Sequence, residues 1–246
     1  MKKMLFICMV GSIFITGMAT AGEVVSTNIV GYTQYGDSMS GRYTVLAPPF
    51  ISVLNTDREL MLESITGNFD FFNAIQIFDG NAKVEFEAYW LPDWAAGADG
   101  EGWYDGDDWD LYLGKTPLSL GNAYYIVTDG GVKITVAGQV DTDEVEIKIK
   151  DRYACIGNST HASLNLDEFE VEGLDFFNAI QIFDGNAKVE FEAYWLPDWA
   201  GAYGEGWYDG DDWDLYLGDK PIAPGQGFFL VTDGQPVTVK IPAFNL

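Results

Sequence analysis

The chain is poor in the residues that small exported domains and most enzymes rely on. Its 246 residues hold one histidine, two cysteines, and 13 lysines and arginines against 38 aspartates and glutamates. With His161 as the only imidazole, a catalytic triad or histidine metal site repeated in the chain is excluded. Cys8 falls in the opening apolar run, so Cys155 stands alone beyond it and no intramolecular disulfide forms; stability must come from a core or from bound ions. A lone thiol of this kind reads as a small buried hydrophobe, with pairing to another chain as the alternative. The formal charge of −25 repels phosphate backbones and anionic lipid, which argues against nucleic acid as a partner. Past the N-terminus no apolar run approaches the roughly 20 residues of a membrane helix, so no membrane insertion is expected. Helical periodicity is nearly absent as well.

The N-terminus reads as a secretory signal peptide over residues 1–21. Lys2 and Lys3 give a basic start, Met4 to Thr16 an apolar stretch, and Ala19-Thr20-Ala21 a small-residue cleavage site, with Gly22 opening the mature chain. No small residue precedes Cys8, which argues against a lipid-anchored start. The expectation is an exported protein: extracellular, on the cell surface, or periplasmic. Chains this acidic are often disordered, but disordered chains lack aromatics. Here 15% of residues are Phe, Trp or Tyr, so the chain folds.

What the sequence does have, it has twice. Residues 70–95, DFFNAIQIFDGNAKVEFEAYWLPDWA, return unchanged at 175–200, and GEGWYDGDDWDLYLG at 100–114 returns at 204–218. All eight tryptophans lie in these copies. Around them the likeness is looser. EVEIKIK and RYACIGNST stand where NIVGYTQY and RYTVLAPPF stood, and GDKPIAPGQGFFLVTDG lines up with GKTPLSLGNAYYIVTDG. Residues 22–140 and 141–246 therefore read as two tandem domains, with a boundary near Gln139–Asp143.

Short apolar runs broken by Gly, Asp, Asn and Pro make each domain a set of strands. NAIQIFD reads as a strand turning at Asp79-Gly80-Asn81 into KVEFEAYW. There strict alternation puts Val84, Phe86, Ala88 and Trp90 on a buried face and Lys83, Glu85, Glu87 and Tyr89 on a wet one. DLYLG, NAYYIVT and VKITVAG read as further strands. TDRELMLESITGN is the one stretch with room for a helical turn or two. The fold expected is all-β: two tandem β-sandwich or open-barrel-like domains arising from internal duplication.

An early I-V-G-Y strand (28–32), I-Q-I-F-D-G-N (75–81), G-W-Y-D-G (102–106) and G-Q-G-F-F-L-V-T (225–232) together resemble a family of exported bacterial β-domain proteins. Residues 122–128 depart from the last of these patterns. The resemblance implies an exported β-protein and brings no activity with it.

Two constellations could carry chemistry. Glu101, Asp105, Asp107, Asp108 and Asp110, repeated as Glu205, Asp209, Asp211, Asp212 and Asp214, could wrap a calcium ion, which takes six to eight oxygens. The spacing is not that of an EF-hand, and the competing reading is a solvated acidic turn. Trp94, Trp103, Tyr104 and Trp109, with Trp199, Trp207, Tyr208 and Trp213, could form a platform for sugar rings; the competing reading is that they fill small cores. Trp90 is in phase with the buried face and reads as core. Glu85 and Glu87 share a strand face about 7 Å apart, a separation glycosidases use, but a solvated strand face accounts for them.

Exact duplication suits a repeated binding or structural module better than an enzyme with one asymmetric site. The expected function is a non-catalytic structural or adhesive β-repeat protein of the cell surface or matrix. Its partners would be a glycan, other surface proteins, or further copies of itself. The alternative is a calcium-assisted carbohydrate-binding module with one Trp/Asp-rich site per domain; a glycan-active enzyme ranks third.

Overall fold

The computed structural model describes residues 30–35, 42–52 and 57–243. The expected signal peptide and the loop at 36–41 lie outside the described residues. In the first half the strands are β1 (Val30–Tyr35), β2 (Tyr43–Leu46), β3 (Phe50–Ile51), β4 (Glu59–Met61), β5 (Ile65–Gly67), β6 (Ala74–Phe78), β7 (Val84–Leu91), β8 (Gly102–Asp105), β9 (Pro117–Ser119), β10 (Tyr124–Val127) and β11 (Ile134–Val140). The second half has β12 (Val145–Ile149), β13 (Tyr153–Gly157), β14 (Leu164–Asn165), β15 (Glu170–Glu172), β16 (Ala179–Phe183), β17 (Val189–Leu196), β18 (Gly206–Tyr208), β19 (Pro221–Ile222), β20 (Gly227–Val231) and β21 (Val237–Ile241). No α-helix occurs among the described residues.

Both halves use one plan. A five-stranded antiparallel sheet runs β2-β10-β6-β7-β8 in the first and β13-β20-β16-β17-β18 in the second. Opposite it, β11 pairs with β1, β3 and β5, and β21 pairs with β12 and β15. β4-β9 and β14-β19 are short two-stranded pairs. The register of the central hairpins is the same, Ala74 facing Tyr89 and Ala179 facing Tyr194. The all-β class and the tandem repetition follow directly. β11 ends at Val140 and β12 starts at Val145, so the halves join across 141–144.

Two local expectations are corrected, and a third is met in its shortest form. TDRELMLESITGN forms β4, a 3-10 turn at Leu62–Ser64, and β5. Leu60, Leu62 and Ile65 all enter the core, and Leu62 and Glu63 give their amides to the carbonyls of Thr116 and Gly114, which leaves no ladder for an α-helix. DLYLG is not a strand; it makes only an isolated bridge between Tyr112 and Tyr104. Val84 is exposed rather than buried, because it sits beside the hairpin tip, beyond the reach of the opposing sheet.

Each half has its own core. In the first, Trp90 and Trp103 meet edge to face at 5.2 Å, and Phe69 packs on both at 5.1 and 4.9 Å. Trp103 donates its indole N–H to the Ile65 carbonyl at 3.0 Å, tying β8 to β5 across the two layers. Trp195 and Trp207 pair the same way in the second half, at 5.2 Å.

The halves are also hydrogen-bonded to one another with near two-fold symmetry. Tyr43 gives its amide to the Gly185 carbonyl at 3.0 Å, and Tyr153 to Gly80 at 3.1 Å; Ala47 bonds Gly225 at 2.9 Å, and Gly157 bonds Gly121 at 3.1 Å. Phe78, Tyr125 and Phe229 pack at the middle, with ring separations of 5.5 to 6.5 Å. The Asp79–Lys83 turn shows why this joint needs glycine. The left-handed residue is Ala82, at φ 57°, not Gly80 or Asn81; Gly80 is required because a Cβ there would lie 1.9 Å from Asp151 Cβ. Arg58 clamps the connection by pairing with Asp141 at 2.6 Å and donating to the carbonyls of Glu144 and Asp143 at 3.1 and 3.2 Å. Cys155 is half-buried at the joint, where its carbonyl accepts the Ala123 amide at 2.9 Å. Burial of its thiol pushes the pKa up, which keeps it protonated.

Two outcomes follow from this packing. Trp103→Ala is expected to cost about 3–5 kcal/mol of unfolding free energy, read by chemical denaturation, whereas Trp94→Ala, at an exposed ring, should cost about 0.5 kcal/mol. His161 of the second half lies 4.8 Å from the Phe50 ring of the first, and burial holds its pKa below the ordinary 6.5. The unfolded chain therefore binds the proton more readily, so this residue's contribution is complete above pH 6.5 and declines as pH falls below it. The difference in denaturation midpoint between wild type and His161→Phe should stay constant from pH 8 down to about 6.5 and then shift in favour of the variant as pH falls further.

Candidate functional site

The site is built where β6 begins and β7 ends. Asp70 and Asn73 bracket two phenylalanines. The buried Asn73 side chain accepts the Asp70 amide at 2.9 Å, Asp70 Oδ1 accepts the Phe71 amide at 2.8 Å, and the Asn73 amide bonds the Asp70 carbonyl at 3.0 Å. Phe72 then gives its amide to Trp90 at 3.2 Å with φ at 67°. A bulky side chain in the left-handed region costs on the order of 1–3 kcal/mol and persists only where its surroundings impose it. Phe177 repeats the conformation at φ 67°. The result turns both rings away from the core.

Other aromatics gather around them. Phe71 lies 4.0 Å from Phe72, 5.0 Å from Trp94 and 5.7 Å from Trp109, and Phe72 lies 5.6 Å from both Trp109 and Tyr89. In the second half Phe176 lies 3.9 Å from Phe177, 5.2 Å from Trp199 and 5.8 Å from Trp213, and Phe177 lies 5.8 Å from Tyr194 and 5.6 Å from Trp213. These are surface clusters rather than cores, their rings tilted 37° to 88° to one another; we refer to each as a platform. Trp94 is 76% and Trp199 77% exposed, and Phe72, Trp109, Phe177 and Trp213 are 42–46% exposed. Leu111 and Leu215 are exposed nearby in the chain.

The proposed sugar-facing set thus divides. Trp94, Trp109, Trp199 and Trp213 stand on the platforms. Trp103, Tyr104, Trp207 and Tyr208 do not; all four are at most 1% exposed. The reason is their position on β8 and β18, where Trp103 faces Trp90 and Phe69 while the Tyr104 hydroxyl donates to the Gly100 carbonyl at 2.6 Å. Phe71, Phe72 and their twins are platform residues that the tryptophan pattern did not single out. No periodic signal marks them, because residues 71 and 72 lie in a turn ahead of β6 rather than in a strand.

The acidic loop folds through its own carboxylates. Asp105 Oδ1 accepts the amides of Asp107 and Asp108 at 2.8 and 3.1 Å, and Asp108 Oδ1 accepts that of Asp110 at 3.1 Å. Asp209 and Asp212 do the same at 2.9 to 3.1 Å. Glu101 and Glu205 give their amides to Asp93 and Asp198 at 3.0 and 2.8 Å. Asp107, Asp108, Asp110 and their twins Asp211, Asp212 and Asp214 remain exposed. Among the described residues no three His, Cys, Asp or Glu side chains come together as an ion-holding group. Of the ten candidate calcium ligands, Asp105, Asp108, Asp209 and Asp212 serve as turn-forming acceptors.

The wet face of β7 adjoins the platform. Glu87 accepts hydrogen bonds from the Gln76 amide and, at 2.7 Å, from the Tyr89 hydroxyl. Tyr89 is pushed up to about 12, first by desolvation and then by its bond to Glu87. On the second half this face is an open depression of about 260 Å³ lined by Glu190, Phe191, Glu192, Tyr194, Asp209 and Asp211. The charged residues lining it are all acidic.

Turn-forming and metal-binding roles for the loop are separable. Asp105→Asn keeps the oxygen acceptor and is expected to melt like wild type, whereas Asp105→Ala should lose about 1 kcal/mol. Both should respond identically to calcium and to a chelator in melts followed by tryptophan fluorescence. No family model, curated protein or solved structure matches this chain.

Proposed function

We propose that this is a non-catalytic, exported β-repeat protein of the cell surface or matrix that adheres to glycan through two identical aromatic platforms. One observation carries the reading: each half spends backbone strain at Phe72 or Phe177 to hold rings in water, where burial would otherwise be favourable. Flat exposed rings stack on the apolar faces of sugars, and the exposed carboxylates of Asp107, Asp108 and Asp110 offer acceptors to hydroxyls. The acidic surroundings oppose sulfated, phosphorylated or uronic ligands, which leaves uncharged or amino-bearing polymers. Nothing in this reading needs a metal ion, and the engagement of Glu87 by Gln76 and Tyr89 gives the strand face a structural use without catalysis.

The test is retention of residues 22–246 on insoluble cellulose and chitin. Replacing Trp94, Trp109, Trp199 and Trp213 together by Ala should abolish retention while leaving the melting midpoint within a few degrees of wild type. Trp94→Ala alone should weaken binding by about tenfold, or about 1.4 kcal/mol. Retention unchanged in the fourfold variant, or no retention of wild type on either polymer, would sink the proposal.

A further inference from the structure

The two platforms do not form one continuous surface. β6 runs from its platform at Phe72 to Phe78, whose ring lies 5.9 Å from Phe229 of the other half. The hairpin tip beyond it hydrogen-bonds the other half through Gly80. Through Val127 Tyr43 is in register with Ala74, and through Val231 Tyr153 is in register with Ala179. Each hairpin tip therefore reaches the platform end of the other half's sheet, and the two platforms lie at opposite ends of the joint, separated along the strands by about the length of β7, about 25 Å at the usual strand rise. The second half repeats the tip contact, with the Gly185 carbonyl accepting the Tyr43 amide of the first half. The joint itself is made of paired backbone hydrogen bonds, and Arg58 straps the connecting segment, so it is not a free linker on which the platforms could swing together.

Resting on the platform reading above, we infer that the chain is a cross-linker: each platform takes a separate stretch of a polysaccharide lacking acid groups, and one chain bridges two strands or two particles. Identity of the two blocks gives both ends the same ligand. Charge favours this occupant over a second copy of the chain, because platforms flanked by Asp107, Asp108 and Asp110 on one copy and Asp211, Asp212 and Asp214 on another repel each other, whereas an uncharged polymer meets no such barrier. Two linked sites also raise avidity by effective concentration without any new contact.

The experiment uses the full mature chain and suspensions of fine cellulose or chitin particles, whichever retains wild type. Wild type is compared with two single-platform variants, Trp94→Ala/Trp109→Ala and Trp199→Ala/Trp213→Ala. Wild type should sediment alone as a monomer and aggregate the particles, read by light scattering. Each single-platform variant should still be retained, with apparent affinity lower by about 10²-fold, and should leave the particles dispersed. Single-platform variants that aggregate particles as wild type does, or that lose less than threefold in affinity, overturn cross-linking and leave adhesion standing. Aggregation that follows self-association of the protein without particles overturns it in favour of a second copy as the occupant. No retention of wild type on either polymer overturns the adhesion reading itself, and cross-linking with it.

Discussion

Much of this structure depends on where the tryptophans go. Each half is a sandwich of roughly a hundred residues without a disulfide, and domains of that size have little interior to spare. Trp90 and Trp103 supply much of it in the first half, and the indole N–H of Trp103 also finds its one partner, the Ile65 carbonyl, on the opposite layer. One side chain thus fills the core and fixes the distance between sheets. With these two rings inside, the β7–β8 connection must arch over the sheet end. Trp94 and Trp109, on that connection and just beyond β8, are left outside.

The exposed rings are a consequence of backbone chemistry as much as of composition. Asn73 is buried with its oxygen committed to the Asp70 amide, so the two residues between them have no freedom to fold their side chains inward. Phe72 accepts a left-handed backbone as a result. The neighbouring aspartates work in the same way: Asp105 and Asp108 use their carboxylates to shape the loop that carries Trp109. Aromatic surface and acidic charge are therefore each set by a network of local hydrogen bonds, and duplication of the sequence duplicates both.

The joint between halves adds a property neither half has alone. Glycines at the hairpin tips let the backbone of one half approach the backbone of the other, and the rings of Phe78, Tyr125 and Phe229 fill the space between. Both ends of the contact use equivalent residues because the halves share a plan. The price is that the joint tolerates little side-chain growth at Gly80 or at Gly225, where a Cβ would lie 2.0 Å from the Tyr35 hydroxyl.

The sequence by itself determined the class of fold and its repetition. Alternation in KVEFEAYW, turn residues at regular intervals and letter-for-letter duplication are local signals, and local signals survive without knowledge of the fold. It also marked Trp94, Trp103 and Trp109 as platform candidates, since they sit among glycine and aspartate. Only the tertiary structure decided that Trp103 and Tyr104, set between Gly102 and Gly106, turn inward, because that depends on the pairing of β8 with β7 and on Phe69 arriving from elsewhere in the chain. The strained Phe71–Phe72 step, the use of aspartates as turn acceptors and the hydrogen-bonded joint were illegible for the same reason. Each is fixed by partners distant in sequence or by backbone geometry, and neither leaves a periodic mark on the residues themselves.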